Sequence, residues 1–191
     1  MIFLQGCGTV FIDVGLQELI VPAIWESETF LDKLGKEKEG QMWLFQDKGS
    51  RNCCLVPEIT AIVQKQWRDT WSRTNKGLAL FYIARCYRYD RPQAGRYREF
   101  TQVGAEWLGN AAKDAEVVKN LLLKIIDQEC PGTLMKEQVS RGLAYYTEEG
   151  FEVEASWLGA QKQIAGGGRY PEGMGWAIGL DRLDLARNQA S

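Results

Sequence analysis

Residues 87–109 read YRYDRPQAGRYREFTQVGAEWLG, and this stretch decides the fold. Its second half, REFTQVGAEWL (98–108), has the period of two expected of a strand. Phe100, Gln102, Gly104, Glu106 and Leu108 share one face, and Thr101, Val103, Ala105 and Trp107 share the other. Just upstream, LALFYIARCYRY (78–89) is rich in β-formers and reads as a buried strand. Between the two lies Arg91-Pro92-Gln93-Ala94-Gly95-Arg96, built of turn residues. The pair is expected to be an antiparallel hairpin whose loop carries function.

Working outward, residues 9–25 read as an extended segment, with Val21 held toward β by Pro22. Residues 33–40 (KLGKEKEG) read as a charged surface loop. Met42–Phe45 and Cys53–Val56 look like strands joined at Asp47-Lys48-Gly49. A helix is expected from Pro57 to Ser72, with Ile59, Ile62, Val63, Gln66 and Trp67 on one face. A second is expected over 113–128, burying Val117, Val118, Leu121, Leu122, Ile125 and Ile126. Residues 142–157 contain a strand, since Phe151, Val153, Ala155 and Trp157 alternate with polar neighbours. Gly166-Gly167-Gly168 marks close backbone approach, and Trp176–Ile178 lead through Gly179 into a last helix. The fold class is α+β with a mainly antiparallel sheet.

At 191 residues the chain is expected to be one domain, 1–191, and its 45% hydrophobic content is ordinary for a packed core. No run approaches the ~20 apolar residues of a membrane span, and no signal peptide is expected. The net charge of −2 disfavours generic nucleic-acid binding. There is no histidine, which removes Ser-His-Asp and Cys-His mechanisms and histidine-ligated metals. Five cysteines without a CxxC (Cys7, Cys53, Cys54, Cys86, Cys130) read as reduced thiols of a cytoplasmic protein. The absence of GxGxxG and GxxxxGK[ST] takes away the usual support for Rossmann and P-loop readings.

Three features look chemical. Arg85, Arg88, Arg91, Arg96 and Arg98 fall within 14 residues of a net-acidic chain. The planar guanidinium fork binds phosphate bidentately, but a solvated basic loop is equally open on composition. Gln102 and Glu106 stand roughly 13 Å apart along one strand face, at ~3.3 Å per residue. They either meet a ligand bearing N–H groups or mark the solvent face, and the pattern alone leans toward solvent. Asp181-Arg182 reads from its spacing as a surface pair.

Residues 87–109 closely resemble the second signature motif of class II aminoacyl-tRNA synthetases, in the form found in histidyl-tRNA synthetases. Four further stretches agree in order: GLQELIVPAIWE (15–26), LVPEIT (55–60), SRGLAYYTEEGFE (140–152), and AGGGRY with GWAIGLDRL (165–183). The resemblance implies the class II fold, an antiparallel sheet flanked by helices that binds ATP and an amino acid. It implies amino-acid activation, most simply of histidine, with transfer to a tRNA acceptor end, Mg2+ on the nucleotide, and a homodimer. By position, Arg88 would hold the α-phosphate, Asp90 would lie near the adenine, and Arg96 would reach the terminal phosphates. Phe100 would stack on the adenine, with Arg182 on its other side. Glu58, Thr60 and Gln102 would receive the amino acid's ammonium. Glu106, Tyr146 and Tyr170 would line the imidazole pocket, and Arg141 would sit beside the reacting carboxylate and α-phosphate.

The sequence also departs from the family. Ala144 replaces the aspartate of the histidine-binding segment, and Val56 replaces the arginine of L-R-P-E-x-T. About 30 residues separate Gly109 from Arg141, where the family carries an inserted helical domain, and no anticodon-binding domain precedes Ser191. A minimal version is therefore expected. The alternatives are a transferase to a non-tRNA acceptor, a core kept for its fold, or a non-catalytic paralogue. The last would resemble the regulatory subunit of ATP phosphoribosyltransferase.

Overall fold

The computed structural model describes residues 9–34, 39–139, 146–147, 150–159 and 161–190. In chain order the elements are β1 (Gln17–Glu18), β2 (Ile24–Glu26), α1 (Glu28–Leu34), β3 (Leu44–Gln46), β4 (Asn52–Leu55) and α2 (Thr60–Asp69). They continue with β5 (Gly77–Tyr87), β6 (Glu99–Gly109), α3 (Ala115–Glu129), β7 (Leu134–Val139) and β8 (Gly150–Glu154). β9 (Gln163–Tyr170), β10 (Gly173–Gly179) and α4 (Leu180–Gln189) complete the chain.

The hairpin forms as expected, with β5 and β6 antiparallel over their whole length, from Gly77 opposite Gly109 to Tyr87 opposite Glu99. It nucleates a seven-stranded sheet in the order β1-β5-β6-β10-β9-β8-β7, in which only β1 runs parallel to its neighbour. A three-stranded sheet, β2-β4-β3, lies beside it. Its β3–β4 turn is held by Asp47, whose carboxylate accepts from the amides of Gly49 and Arg51 at 2.8 and 3.0 Å.

Both faces of the large sheet are covered. On one side α3 and α4 pack against Val103, Ala105, Trp107, Trp176 and Ile178. α3 starts where the Asp114 carboxylate accepts from the amides of Glu116 and Val117. It buries Val118, Leu121, Leu122, Ile125 and Ile126, each worth roughly 1.5–3 kcal/mol of gross hydrophobic stabilisation. On the other side α2 and the small sheet bring Val56, Ile59, Ile62 and Val63 against Leu80, Tyr82 and Cys86.

Several expectations are corrected. Residues 9–13 are helical, and Phe11 from that turn stacks on Phe81 with ring centroids 4.9 Å apart. Burial of one aromatic face thus overrides the extended reading. α2 begins at Thr60, with Ile59 as its N-cap accepting from the Val63 amide at 3.1 Å, while the Pro57 carbonyl is taken by the Arg88 side chain. Val117 faces solvent at 56% exposure, one position off the buried stripe. In the 142–157 region the strand is β8, while residues 140–145, 148 and 149 lie outside the described residues. β7 was not expected from the pattern, because only Met135 and Val139 of its upper half carry apolar side chains that are even partly covered. Of the surface loop 33–40, residues 33 and 34 close α1, and 35–38 are outside the described residues. Cys53, Cys54, Cys86 and Cys130 are buried free thiols. Cys7 is outside the described residues. No helix among the described residues is long and apolar enough to cross a membrane.

Candidate active site

The even-numbered face of β6 does not meet solvent. Phe100 and Gln102 line a cavity of about 200 Å3, while Glu106 and Leu108 are sealed beneath α2. The sequence pattern leaned toward a solvent face because it cannot distinguish water from a cavity with polar walls. The opening exists because the neighbouring strands present small residues there. Gly179 pairs with Gln102, Ala177 with Gly104 and Gly175 with Glu106, and Gly166 pairs with Ala177. Two of these positions admit no side chain. A Cβ at Gly175 would lie 1.7 Å from Glu106 Oε2, and one at Gly104 would lie 2.3 Å from the Tyr82 ring.

Arg88, Arg96 and Arg182 line the cavity, together with the carboxylates Asp90 and Asp181. Arg88 donates from Nε to the Pro57 carbonyl at 3.0 Å and lies over Phe100, its Cζ 5.1 Å from the ring centroid. Arg96 is 3.8 Å from Asp90 Oδ2. Arg182 donates from Nε to the Gly95 carbonyl at 2.5 Å and from Nη1 to the Gln163 carbonyl at 3.0 Å. It thereby ties the hairpin loop to β9. Burial, and then the charges of Arg96 and Arg88, lower its affinity for its own proton. Three guanidiniums held this close favour any polyanion that enters.

The cavity also carries acceptors. Glu58 is 4% exposed and its Oε1 accepts from the Ala61 amide at 2.8 Å, in the first turn of α2. Thr60 and Gln102 share the wall with it. Behind Gln102, the Cys86 thiol donates to Gln102 Oε1 at 3.3 Å. Burial pushes that thiol up to about 12. Glu106 is fully buried, and its two oxygens accept from Thr60 Oγ1 and Tyr170 Oη, each at 2.6 Å. Burial pushes Glu106 up to about 8, against the opposing pull of those two hydrogen bonds.

Nine of the expected site residues therefore meet at one cavity: Glu58, Thr60, Arg88, Asp90, Arg96, Phe100, Gln102, Tyr146 and Arg182. Glu106 and Tyr170, expected to line it, instead stand behind the wall as partners of Thr60 and of each other. Arg141 is outside the described residues, as is Ala144. Asp181 and Arg182 do not form the surface pair that their spacing suggested. Asp181 Oδ2 accepts from the Thr101 amide at 2.8 Å while Arg182 turns into the cavity. Sequence reasoning missed Tyr82, Tyr97 and Gln163 at the wall. Tyr82 was legible in principle, since it shares the even face of β5 with Cys86 and Arg88.

With that geometry in hand, likeness to known proteins adds identity of lineage. A family model described as histidyl-tRNA synthetase matches residues 6–134. A histidine–tRNA ligase of Sulfolobus acidocaldarius is 40% identical over 120 residues, covering 62% of this chain and 28% of that protein. One from Methanospirillum hungatei is 27% identical over 280 aligned positions, covering 93% of this chain and 69% of its own length. An alignment that long against a 191-residue chain contains gaps on this chain's side, in keeping with the missing insertion. The matched part thus spans about a quarter of the first relative's length. Apo histidyl-tRNA synthetase of S. aureus has the same fold, with a TM-score of 0.76 at 23% identity, over 98% of this chain and 65% of that one.

Proposed function

The chain belongs to the histidyl-tRNA synthetase family, and from that premise we propose that it activates an amino acid with ATP, forming an aminoacyl adenylate. Histidine is the amino acid the family points to. The observation that carries this reading is the lining of one cavity, which brings Arg88, Arg96 and Arg182 together with Glu58, Thr60 and Gln102. A triphosphate is complementary in charge to the arginines, and an amino acid's ammonium to the acceptors.

The chemistry needs placement more than a protein nucleophile. The amino acid's carboxylate oxygen attacks the α-phosphorus, the new P–O bond forms, and the bond to the β-phosphate oxygen breaks with pyrophosphate leaving. No proton has to move in that step, so a chain without histidine is equipped for it. Arg88 holds the α-phosphate and Arg96 the terminal phosphates. Arg182, tied to the hairpin loop through Gly95, keeps the loop over the nucleotide. Phe100 offers its ring to the adenine near Asp90. Glu58, Thr60 and Gln102 take the ammonium, and Tyr146 faces the side chain. Glu106 and Tyr170 act on specificity from behind by fixing Thr60. Arg141, outside the described residues, would by the family resemblance sit beside the reacting carboxylate and α-phosphate. Among the described residues no cluster of three carboxylates or thiols could hold a metal. Mg2+ would accompany the nucleotide, held mostly by phosphate oxygens and water, and would supply charge neutralisation.

The acceptor of the activated amino acid is a tRNA end on the family's pattern. A homodimer is supported by Ile20, Ile24, Leu44 and Phe45, which are exposed on and beside the small sheet.

Amino-acid-dependent ATP–pyrophosphate exchange across all twenty amino acids tests the reading. Exchange with histidine is expected, and Arg88→Ala should lower it by about 10²–10³-fold, the usual cost of removing one transition-state donor, with the protein still folded. No exchange with any amino acid from folded protein would move the assignment to the non-catalytic paralogue. Exchange with another amino acid would make Ala144 and Val56 specificity changes.

A further inference from the structure

Cys86 is wholly buried and does not reach the cavity, yet its thiol is hydrogen-bonded to a residue that does. The register explains how. Cys86 stands opposite Phe100, and Ala84 stands opposite Gln102, so Cys86 and Gln102 are diagonal neighbours on one face of the β5–β6 pair. Ala84 carries no polar group for the amide, and the thiol supplies one.

A glutamine amide is nearly symmetric in shape and can present either its oxygen or its NH2 group. An ammonium ligand needs the oxygen. We propose that Cys86 is a positioning residue: its S–H donates to Gln102 Oε1 and fixes the carboxamide with its oxygen, rather than its nitrogen, available to the amino acid's ammonium. The inference rests on the adenylation reading above for the ligand, and on the thiol–amide pair alone for the mechanism. The flipped amide would set two N–H groups toward both the thiol proton and the ammonium, leaving donors facing donors. The oxygen has two lone pairs, so one serves the thiol and one remains for the ligand. Burial keeps the sulfur protonated across the working pH range, so the donor is permanent.

The test separates orientation from packing. Cys86→Ala should raise the KM for the amino acid by about three- to tenfold, the range of one neutral hydrogen bond. The KM for ATP and kcat should stay within about twofold. Cys86→Ser retains an O–H donor and should recover most of the loss, whereas Cys86→Val fills the space without a donor and should not. An unchanged amino-acid KM in Cys86→Ala, or equal losses in the serine and valine variants, would overturn the proposal. The Raman S–H stretch, assigned by difference against Cys86→Ala, reads the pair without any activity. It should move to higher frequency in Gln102→Leu, and an unmoved band would overturn the pairing itself. Absence of exchange in the unaltered protein would instead remove the adenylation reading, and the ammonium role with it, whatever the Raman band shows.

Discussion

The two faces of β6 are built on opposite rules. Toward α3, Val103, Ala105 and Trp107 join a core that is apolar almost throughout. Toward α2, the same strand offers Phe100, Gln102, Gly104 and Glu106 to a region that buries Glu58, Thr60, Gln64 and Glu106 among its apolar side chains. A buried polar group costs free energy unless it is partnered. Each buried carboxylate on this face is accordingly engaged, Glu58 by the Ala61 amide and Glu106 by two hydroxyls. The α3 face holds the sheet together, and the α2 face spends stability on a cavity.

If that division is right, the largest stability loss from one truncation belongs to the apolar side. Trp176 on β10 is 1% exposed, lies 6.0 Å from Phe11 and 6.3 Å from Trp107 by ring centroids, and donates to the Val118 carbonyl at 2.9 Å. Trp176→Ala should cost about 3–5 kcal/mol in urea unfolding. A loss below about 1 kcal/mol would mean that the α3 face is not the main core.

The polar face should instead reveal itself through pH. Burial holds Glu106 at about 8 in the folded protein, against the 4.5 of a solvated glutamate. Between those values the folded protein holds a proton that the unfolded chain has released. The stability Glu106 contributes is therefore fully present below about pH 4.5 and declines as pH rises toward 8, by an amount on the order of 5 kcal/mol. With no histidine in the chain, no imidazole titrates in that window to obscure the slope. Thermal melts from pH 5 to 8 should show a falling Tm, and Glu106→Gln should flatten the curve. A Tm that rises with pH in the unaltered protein would show that Glu106 is ionised where it lies.

The same contrast explains what could be read from the sequence. The hairpin, the last helix and the α3 stripe were legible because alternation and helical period report burial directly. The site was legible at Arg88, Arg96, Gln102 and Glu58 only through the order of five motifs. Period alone put Gln102 and Glu106 on a solvent face. What the pattern could not carry was depth: Glu106 and Tyr170 belong behind the wall because Gly175 leaves room for the carboxylate, and that is a cross-strand fact. β7 was missed for a similar reason, as an edge strand with as many polar as apolar residues, of which only Met135 and Val139 are partly covered.

The smallest expected effect tests the boundary between inside and outside on α3. Val117 and Val118 are adjacent, yet one is 56% exposed and the other 0%. Alanine at either position removes the same two methyl groups. At Val118 those methyls leave a fully packed site, and with ~0.8 kcal/mol per buried carbon plus a cavity cost the loss should be about 2 kcal/mol. At Val117 the partial loss of burial is opposed by alanine's better helix propensity, worth up to ~0.7 kcal/mol. Val117→Ala should therefore lie within about 0.5 kcal/mol of the unaltered protein in urea titration. The helical period with six buried positions predicted equal losses at both sites. Equal losses would restore that reading and rotate α3 against the sheet, whereas a difference of more than about 1 kcal/mol bears out that Val118 turns inward and Val117 outward.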